Sequence, residues 1–132
     1  MKKQTDIGFE EIRILVFSIM GVNLGMDMEQ ISEMCEPDQV RERDFEIFRF
    51  HDKLLFREDP GEYESPVVLL VKDETSGLII EQPDDINVPV PIDSISPLPP
   101  LIEAVIRSGP IWGVTINQGK IILLVDSYKL LQ

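Results

Sequence analysis

Few side chains in this sequence are suited to nucleophilic chemistry. The 132 residues include one histidine, His51, and one cysteine, Cys35. A serine-type triad would need His51 as its base, and no G-x-S-x-G motif supplies the serine. A pair of Cys35 and His51 remains possible in three dimensions, although no sequence signature accompanies it. We therefore interpret His51 as a turn residue in solvent and Cys35 as a buried or half-buried thiol.

Carboxylates supply the other candidate chemistry, and they form two clusters. A glycosidase pair or a calcium site could be built from such groups, but the EF-hand spacing occurs nowhere in the chain. A general acid also needs apolar surroundings that raise its pKa, and sequence does not reveal these. Solvated charge is the simpler interpretation, so we predict no catalytic residue, no metal ligand and no cofactor. The clusters are Asp27, Glu29, Glu33 and Glu36, and Glu58, Asp59, Glu62 and Glu64.

The charge balance disfavours two classes of partner. Twelve basic against 24 acidic residues give a net charge of −12. Such a chain repels phosphate backbones and anionic lipid, so we predict neither nucleic-acid binding nor membrane binding. The glycines form no phosphate-binding loop, because no G-K-[ST] follows Gly21 and Gly25. A partner surface with basic patches suits this charge better.

The length and the ends of the chain indicate one cytoplasmic domain. A chain of 132 residues is one domain's worth, so we expect a single domain over residues 1–132. Asp6, Glu10 and Glu11 stand where a signal peptide would be apolar, so we expect no targeting signal. Residues 1–11 are expected to be a flexible N-terminal segment. No apolar run approaches the roughly 18–20 residues that span a bilayer.

Strands must position whatever site the chain carries. Short runs rich in β-branched residues alternate with turn residues, which predicts several β-hairpins that close into small barrels. The stretch from Pro83 to Pro100 excludes helix and favours extended, edge-like backbone. Short helices are expected at Glu29–Glu36 and after an N-cap at Asp126. The predicted strands are Ile12–Met20, Leu24–Met28, Phe45–Phe50, Lys53–Arg57, Val67–Lys72, Leu78–Gln82, Ile111–Ile116 and Lys120–Val125, with a turn at His51–Asp52.

Three segments, taken in order, resemble the CheW-like domain family. The first is an apolar strand, a glycine turn, a G-[IM]-D-[IM] strand and a short helix written roughly [KQ]-[VI]-x-E-[IM]. The second is a pair of strands around a glycine, and the third is a terminal hairpin followed by a closing helix. The segments are ILVFSIMGVNLGMDMEQISEMC at 14–35, VVLLVKDETSGLIIEQ at 67–82 and the stretch from Ile86 through the prolines to Leu131, which ends in IWGVTINQGKIILLVDSYKLL at 111–131. Their order and spacing over nearly the whole chain make the resemblance more specific than any one segment does.

The resemblance implies a fold and a function. CheW-like domains consist of two intertwined five-stranded β-barrels, so the chain is expected to be all-β with two short helices. They are adaptors without enzymatic activity, which couple chemoreceptors to the regulatory domain of a CheA-type histidine kinase. In the family, the helical tip of the receptor docks in the apolar groove between the barrels. An acidic β-barrel enzyme or ligand-binder remains a less favoured alternative.

The resemblance also transfers contact positions to this chain. The family's contacts correspond to Ile31 and Glu33 on the first predicted short helix, to Val67, Val68 and Gly77 on the middle strands, and to Ile86 beyond them. For Ile31, Val67, Val68 and Ile86, core packing and partner contact remain equal alternatives. Glu33 is expected at the surface.

One departure from the family pattern concerns a contact residue. The family's N-L-R-G corresponds here to Arg49-Phe50-His51-Asp52, so His51 stands at the arginine position. An imidazole does not replace the planar fork of a guanidinium. The alternative is therefore a degenerate CheW-like module that binds or inhibits the kinase without contacting receptors. The sequence leaves open the identity of the partners, the output of the pathway and the oligomeric state.

Overall fold

The architecture consists of two curled β-sheets with short helices at their margins. A computed structural model describes residues 10–54, 61–98 and 109–132. The strands are β1 Glu11–Ile19, β2 Val22–Asp27, β3 Ile31–Cys35, β4 Glu46–Arg49, β5 Pro66–Val71, β6 Ser76–Glu81, β7 Asp85–Pro91, β8 Ile111–Asn117 and β9 Lys120–Val125. The helices are α1 Pro37–Val40, α2 Phe50–Lys53 and α3 Ser127–Leu130.

The first sheet closes into a barrel. Its strand order is β7-β1-β2-β9-β8, with β2 and β9 parallel. After β7 at one edge, a 3-10 turn at Ile92–Ser94 carries the chain across to β8 at the other edge. There the Ser96 amide donates to the Val114 carbonyl at 2.9 Å, and the Val114 amide donates to the Ser96 carbonyl at 2.8 Å. These two bonds join the edges, which a flat sheet would leave unpaired.

The second sheet has the order β3-β5-β6-β4 among the described residues. Strand β4 runs parallel to β6, while β5 pairs antiparallel with both β3 and β6. Helix α1 covers the interior of this sheet with Val40. The all-β prediction is therefore confirmed, and the described residues form three short helices and sheets of five and four strands.

Apolar runs occur because the strands bury both of their faces. Along β1, Phe17 faces a core shared by the two sheets, whereas Ile14 faces the interior of the first barrel. Along β5, Leu69 faces the shared core, and Val68 faces the cluster around Val40 that the second sheet curls over, which we call the interior of the second barrel. Alternate residues of one strand thus stabilise two different cores. This explains why β5 reads as an almost wholly apolar segment.

Two expected hairpins are confirmed in detail. Between β8 and β9, Gln118 and Gly119 have φ values of 51° and 78°, as a two-residue type I′ turn requires. The side chain of Asp126 accepts hydrogen bonds from the amides of Tyr128 and Lys129, which confirms it as the N-cap of α3. Between β1 and β2, Met20 and Gly21 form a similar turn.

The helix expected at Glu29–Glu36 is wrong. A 3-10 turn at Met28–Gln30 is followed by β3, in which Glu33 pairs with Leu70 and Cys35 pairs with Val68. The spacing of Ile31 and Met34 indicated a helix, but backbone pairing with the buried strand β5 overrides that local preference. The polar residues of this run belong to an edge strand and not to a helical face.

The turn expected at His51–Asp52 is also wrong, and Lys53, where the returning strand was expected to begin, lies in a helix. Phe50–Lys53 form helix α2, and Phe50 is fully buried with its ring 5.0 Å from that of Phe17 in a T-shaped contact. Strand β4 already pairs with β6, so it needs no hairpin partner. Residues 1–9, 55–60 and 99–108 lie outside the described ranges. Most of the expected N-terminal segment and the end of the expected returning strand therefore lie outside the described residues. Glu11, the last residue of that N-terminal segment, begins β1. The stretch at 101–107, whose sequence is compatible with either helix or strand, also lies outside them.

Candidate docking cleft

A cleft opens where the two barrels meet. Strand β7 is an edge of the first sheet, strand β3 is an edge of the second, and β5 lies between them at the base. One part has a volume of about 260 Å³, and a neighbouring hollow of about 530 Å³ shares three of its residues. We call both parts together the inter-barrel cleft. It is lined by Met34, Cys35, Glu36, Pro37, Asp38, Gln39, Ser65, Pro66, Val67, Gln82, Pro83 and Ile86.

A β-bulge exposes Ile86 at one wall of this cleft. The pairing of β1 with β7 shifts between Ile14 and Val16, so that Ile86 and Asn87 together face the single residue Leu15. Asn87 has a φ of 66°, a left-handed conformation that asparagine tolerates better than most residues. Bulges of this kind commonly redirect a side chain. Ile86 consequently leaves the barrel interior and is 46% exposed.

Strand β3 supplies the opposite wall. Met34 is 41% exposed although it pairs with the buried Leu69, because its side chain lies on the cleft side of the edge strand. Cys35 is buried beside it. Burial raises the pKa of the Cys35 thiol, and the nearby Glu33 carboxylate raises it further while Arg43 lowers it. The thiol is therefore protonated at neutral pH and contributes an apolar surface.

The base of the cleft is held by hydrogen bonds from the segment that precedes β5. The carboxylate of Glu81 accepts from the amides of Ser65, at 2.7 Å, and Glu64, at 3.1 Å. Tyr63, further back in the same segment, contacts the shared core. Its hydroxyl lies 2.8 Å from Nδ1 of His51 in α2. These contacts fix the position from which Pro66 and Val67 reach the cleft.

The polar residues of the lining are acidic or neutral. Glu36 and Asp38 carry the charge, and no lysine or arginine belongs to the lining of the described cleft. Asp38 forms an exposed ion pair with Arg41 at 2.6 Å. Glu36 forms no ion pair with any described residue, and its backbone amide donates to the Gln39 side chain at 2.7 Å. An apolar base with a polar rim is the usual composition of a protein-docking surface.

The structure brings together two of the residues that the resemblance singled out. Val67 and Ile86 both line the inter-barrel cleft, although they belong to different sheets. Ile31 is half-buried against the shared core, and Glu33 is exposed and paired with Arg43 at 3.1 Å. These two residues lie on β3 but do not line the cleft.

Three further residues from that set are buried. Val68 faces the interior of the second barrel, and a Cβ atom at Gly77 would lie 2.9 Å from the Leu69 carbonyl oxygen. Glycine thus permits close packing of β5 and β6 at this point. His51 is buried in α2 against Tyr63, with Nε2 3.5 Å from the Asp52 carboxylate. The interpretation of His51 as a solvent-exposed turn residue is wrong.

Several residues of the cleft were missed by the sequence analysis. Gln39 and Gln82 are ordinary polar residues in sequence, and they become neighbours only because the chain passes between the sheets. Met34 was noted but assigned to a helical face. The only signal for the bulge was an asparagine within an otherwise extended proline-containing stretch, at Asn87. This signal is too common to predict an exposed Ile86.

A second apolar surface lies on the outer face of the first barrel. Ile116 and Ile121 form a cross-strand pair next to the β8–β9 turn and are 68% and 62% exposed. They border a hollow of about 450 Å³. We call this surface the β8–β9 corner. It is lined by Ser94, Ser96, Leu98, Val114, Thr115, Ile116, Ile121 and Leu123, none of which is charged.

Two searches of the described residues bear on other kinds of site. Within residues 10–54, 61–98 and 109–132, no three histidine, cysteine, aspartate or glutamate side chains converge as a metal site would require. The helices in these ranges are all too short and too polar to cross a bilayer. The inter-barrel cleft and the β8–β9 corner thus remain the surfaces to be explained.

Comparison with known proteins identifies the fold. No family model matches the sequence, and no curated protein matches it either. The crystal structure of the scaffolding protein TtCheW from Thermoanaerobacter tengcongensis superposes with a TM-score of 0.69 at 17% identity. The match covers 89% of this chain and 90% of that protein. The two curled sheets and their junction therefore have a CheW-like fold.

Proposed function

We propose that this protein is a non-enzymatic adaptor in chemotaxis-type two-component signalling. In this role it couples the regulatory domain of a CheA-type histidine kinase to chemoreceptors or to a related partner in the cytoplasm. The CheW-like fold supports the proposal, because the structurally similar TtCheW is a scaffolding protein. Fold alone does not determine function, so the proposal also depends on a specific surface.

The observation that carries the proposal is the exposure of large apolar side chains at the inter-barrel cleft. Ile86 and Met34 face the cleft from two different sheets, and Val67 forms the base between them. Burial of such side chains under a partner removes apolar surface from water at about 25 cal/mol per Å². A few central apolar anchors with a polar rim commonly dominate the affinity of protein interfaces.

The residues suggested by the family resemblance have different roles in this proposal. Val67 and Ile86 contact the partner directly. Val68 and Gly77 act through packing, since they hold β5 and β6 in the positions that define the base. Ile31 supports β3 from the shared core, and Glu33 contributes charge beside the cleft. His51 supports the base of the cleft through its contact with Tyr63.

Calorimetric titration with the regulatory domain of the cognate kinase, and separately with the receptor tip, tests the proposal. We expect saturable binding, and we expect Ile86→Asp to weaken it at least about tenfold because a carboxylate would be desolvated in the interface. Ile116→Asp is a matched control, since it introduces the same charge at an exposed isoleucine outside the cleft. Absence of binding to either partner, or equal losses in the two variants, would contradict the proposal.

A second candidate is a module that binds or inhibits the kinase without contacting receptors. It is favoured by the burial of His51, which stands where the family resemblance places an arginine contact. An arginine at this position would have to leave the space that the imidazole occupies beside Tyr63. Binding of the kinase domain together with no detectable binding of the receptor tip supports this candidate. Binding of both partners supports the coupling adaptor.

A further inference from the structure

We propose that the inter-barrel cleft selects a partner segment in which apolar side chains are flanked by lysine or arginine. This inference deepens the proposed function and rests on it, because it specifies the chemistry of the segment that docks.

Carboxylates surround the cleft on several sides. Glu36 and Asp38 belong to the lining, and further acidic residues lie next to lining residues in the chain. Arg41 and Arg43 follow the lining segment in the chain, and Arg13 donates to the carbonyl of Asn87 beside Ile86. All three arginines are already paired with acidic residues. The adjoining acidic residues are Glu33, Glu64, Glu81, Asp84 and Asp85.

Several of these carboxylates already accept hydrogen bonds within the protein. The remaining carboxylates can bind a cationic side chain of a partner. Glu81 accepts two backbone hydrogen bonds, and Asp84 accepts one from the Ser18 hydroxyl at 3.0 Å. Glu36 forms a capping box with Gln39 at the start of α1, which holds it at the rim. Among the described residues it has no cationic partner, and it is exposed. It is therefore the carboxylate best placed to meet a cation on a docked segment.

Acidic charge is a property of this cleft and not of every apolar surface of the protein. The β8–β9 corner exposes larger fractions of two isoleucines, yet its lining contains no charged residue. A cleft that carries one sign of charge beside an apolar base favours partners of the opposite sign. It also disfavours acidic segments, because their carboxylates would meet Glu36 and Asp38 at short range.

Two amphipathic helical peptides provide the probe. Both carry leucines at helical spacing, and one has lysines at both ends of the apolar face whereas the other has glutamates. We expect the lysine peptide to bind at least about tenfold more tightly than the glutamate peptide at about 50 mM NaCl. This difference should shrink at about 300 mM NaCl, where exposed charges are screened.

Charge reversal at the rim locates the effect. Glu36→Lys should weaken binding of the lysine peptide at least about fivefold and strengthen binding of the glutamate peptide. Asp93→Lys changes the net charge by the same amount at an exposed position beside the β8–β9 corner, and it should change either affinity less than about twofold. Equal effects of the two variants, or equal affinity for the two peptides, would overturn the inference.

The same variants separate this inference from the proposed function. If the kinase regulatory domain or the receptor tip binds but Glu36→Lys leaves its affinity unchanged, the adaptor function stands and the charge selectivity fails. If neither partner binds while the lysine peptide binds with the expected response to Glu36→Lys, the selectivity stands and the adaptor function fails.

Discussion

The inter-barrel cleft and the β8–β9 corner both expose large apolar side chains, but they arise in different ways. At the corner, Ile116 and Ile121 occupy regular ladder positions beyond the end of the shared core. At the cleft, Ile86 is exposed by a bulge that requires a left-handed Asn87. Irregular backbone of this kind costs free energy and persists where the surrounding structure enforces it.

This contrast shows that exposure alone does not identify a docking surface. The corner is more exposed, uncharged in its lining and built by a single sheet. The cleft is formed by two sheets, combines apolar anchors with carboxylates, and depends on a specific bulge. The cleft therefore has the more specific chemistry, and the variants below test whether the two surfaces can be separated.

Loss of the shared core should affect the cleft and the corner together. Phe50→Ala removes a fully buried ring that contacts Phe17 between the two sheets. We expect the free energy of unfolding to fall by about 3–5 kcal/mol, as for other buried phenylalanines. Urea unfolding followed by circular dichroism measures the change. Ile116→Ala is the control at an exposed position, and its free energy of unfolding should fall by less than about 0.5 kcal/mol. Equal losses in the two variants would show that the shared core does not join the sheets as described.

Disruption of the bulge should affect the cleft alone. Asn87→Val places a β-branched residue at a positive φ, so we expect a loss of stability of about 1–3 kcal/mol and weaker binding at the cleft. Asn87→Gly tolerates the same φ and should keep binding within about twofold. The comparison uses urea unfolding together with calorimetric titration. Full binding by Asn87→Val would show that the bulge does not position Ile86.

Cysteine labelling distinguishes occupation of the cleft from occupation of the corner. Cys35 should react slowly with iodoacetamide because burial limits access and raises the pKa of its thiol. The rate should fall several-fold further when the kinase regulatory domain is added. An Ile116→Cys substitution in a Cys35→Ala background reports on the corner, where the partner should leave the rate unchanged. Protection at the corner alone would reverse the assignment of the docking surface.

The smallest expected effect is on the stability of the folded protein at alkaline pH, through Tyr63 behind the base of the cleft. Burial raises the pKa of Tyr63 above its ordinary value of about 10, and the hydrogen bond from the His51 backbone opposes this shift. The folded protein holds the phenolic proton more tightly than the unfolded chain does. The resulting stabilisation is fully present below pH of about 10 and is lost as the pH rises through the raised pKa.

Tyr63→Phe should therefore reduce the loss of stability between about pH 9 and about pH 12. Urea unfolding at several pH values measures it. The pKa of Tyr128 is also raised by burial, but Tyr128 lies in α3, away from the cleft lining. The Tyr128→Phe substitution should therefore leave the rate of Cys35 labelling unchanged over this pH range. An unaltered pH dependence in Tyr63→Phe would contradict the assignment to this residue.

Regular strands and two-residue turns were predictable because their causes are local. The β-branched residues of β1 and the turn at Gln118–Gly119 have strong local preferences, and the structure follows them. The N-cap at Asp126 is likewise determined by its own side chain. These elements define the fold class, and they also carry much of the CheW-like resemblance.

The candidate site was less predictable because it depends on contacts between distant residues. Ile31 and Met34 have a helix-like spacing, but pairing with β5 makes their segment a strand. The resemblance identified Val67 and Ile86 as contact positions. Local sequence patterns could not show that a bulge exposes Ile86 in the same cleft as Val67. His51 looked like a turn residue because its burial depends on Tyr63, twelve residues away.

Hydrogen–deuterium exchange of the whole protein, with and without the kinase regulatory domain, tests the central claim most directly. The inter-barrel cleft is the proposed docking surface, so we predict slower exchange of amides at Met34–Glu36, Val67 and Ile86 in the complex, with no change at Ile116 and Ile121. Slowing confined to β8 and β9, or no slowing at a concentration that saturates binding, would contradict the account.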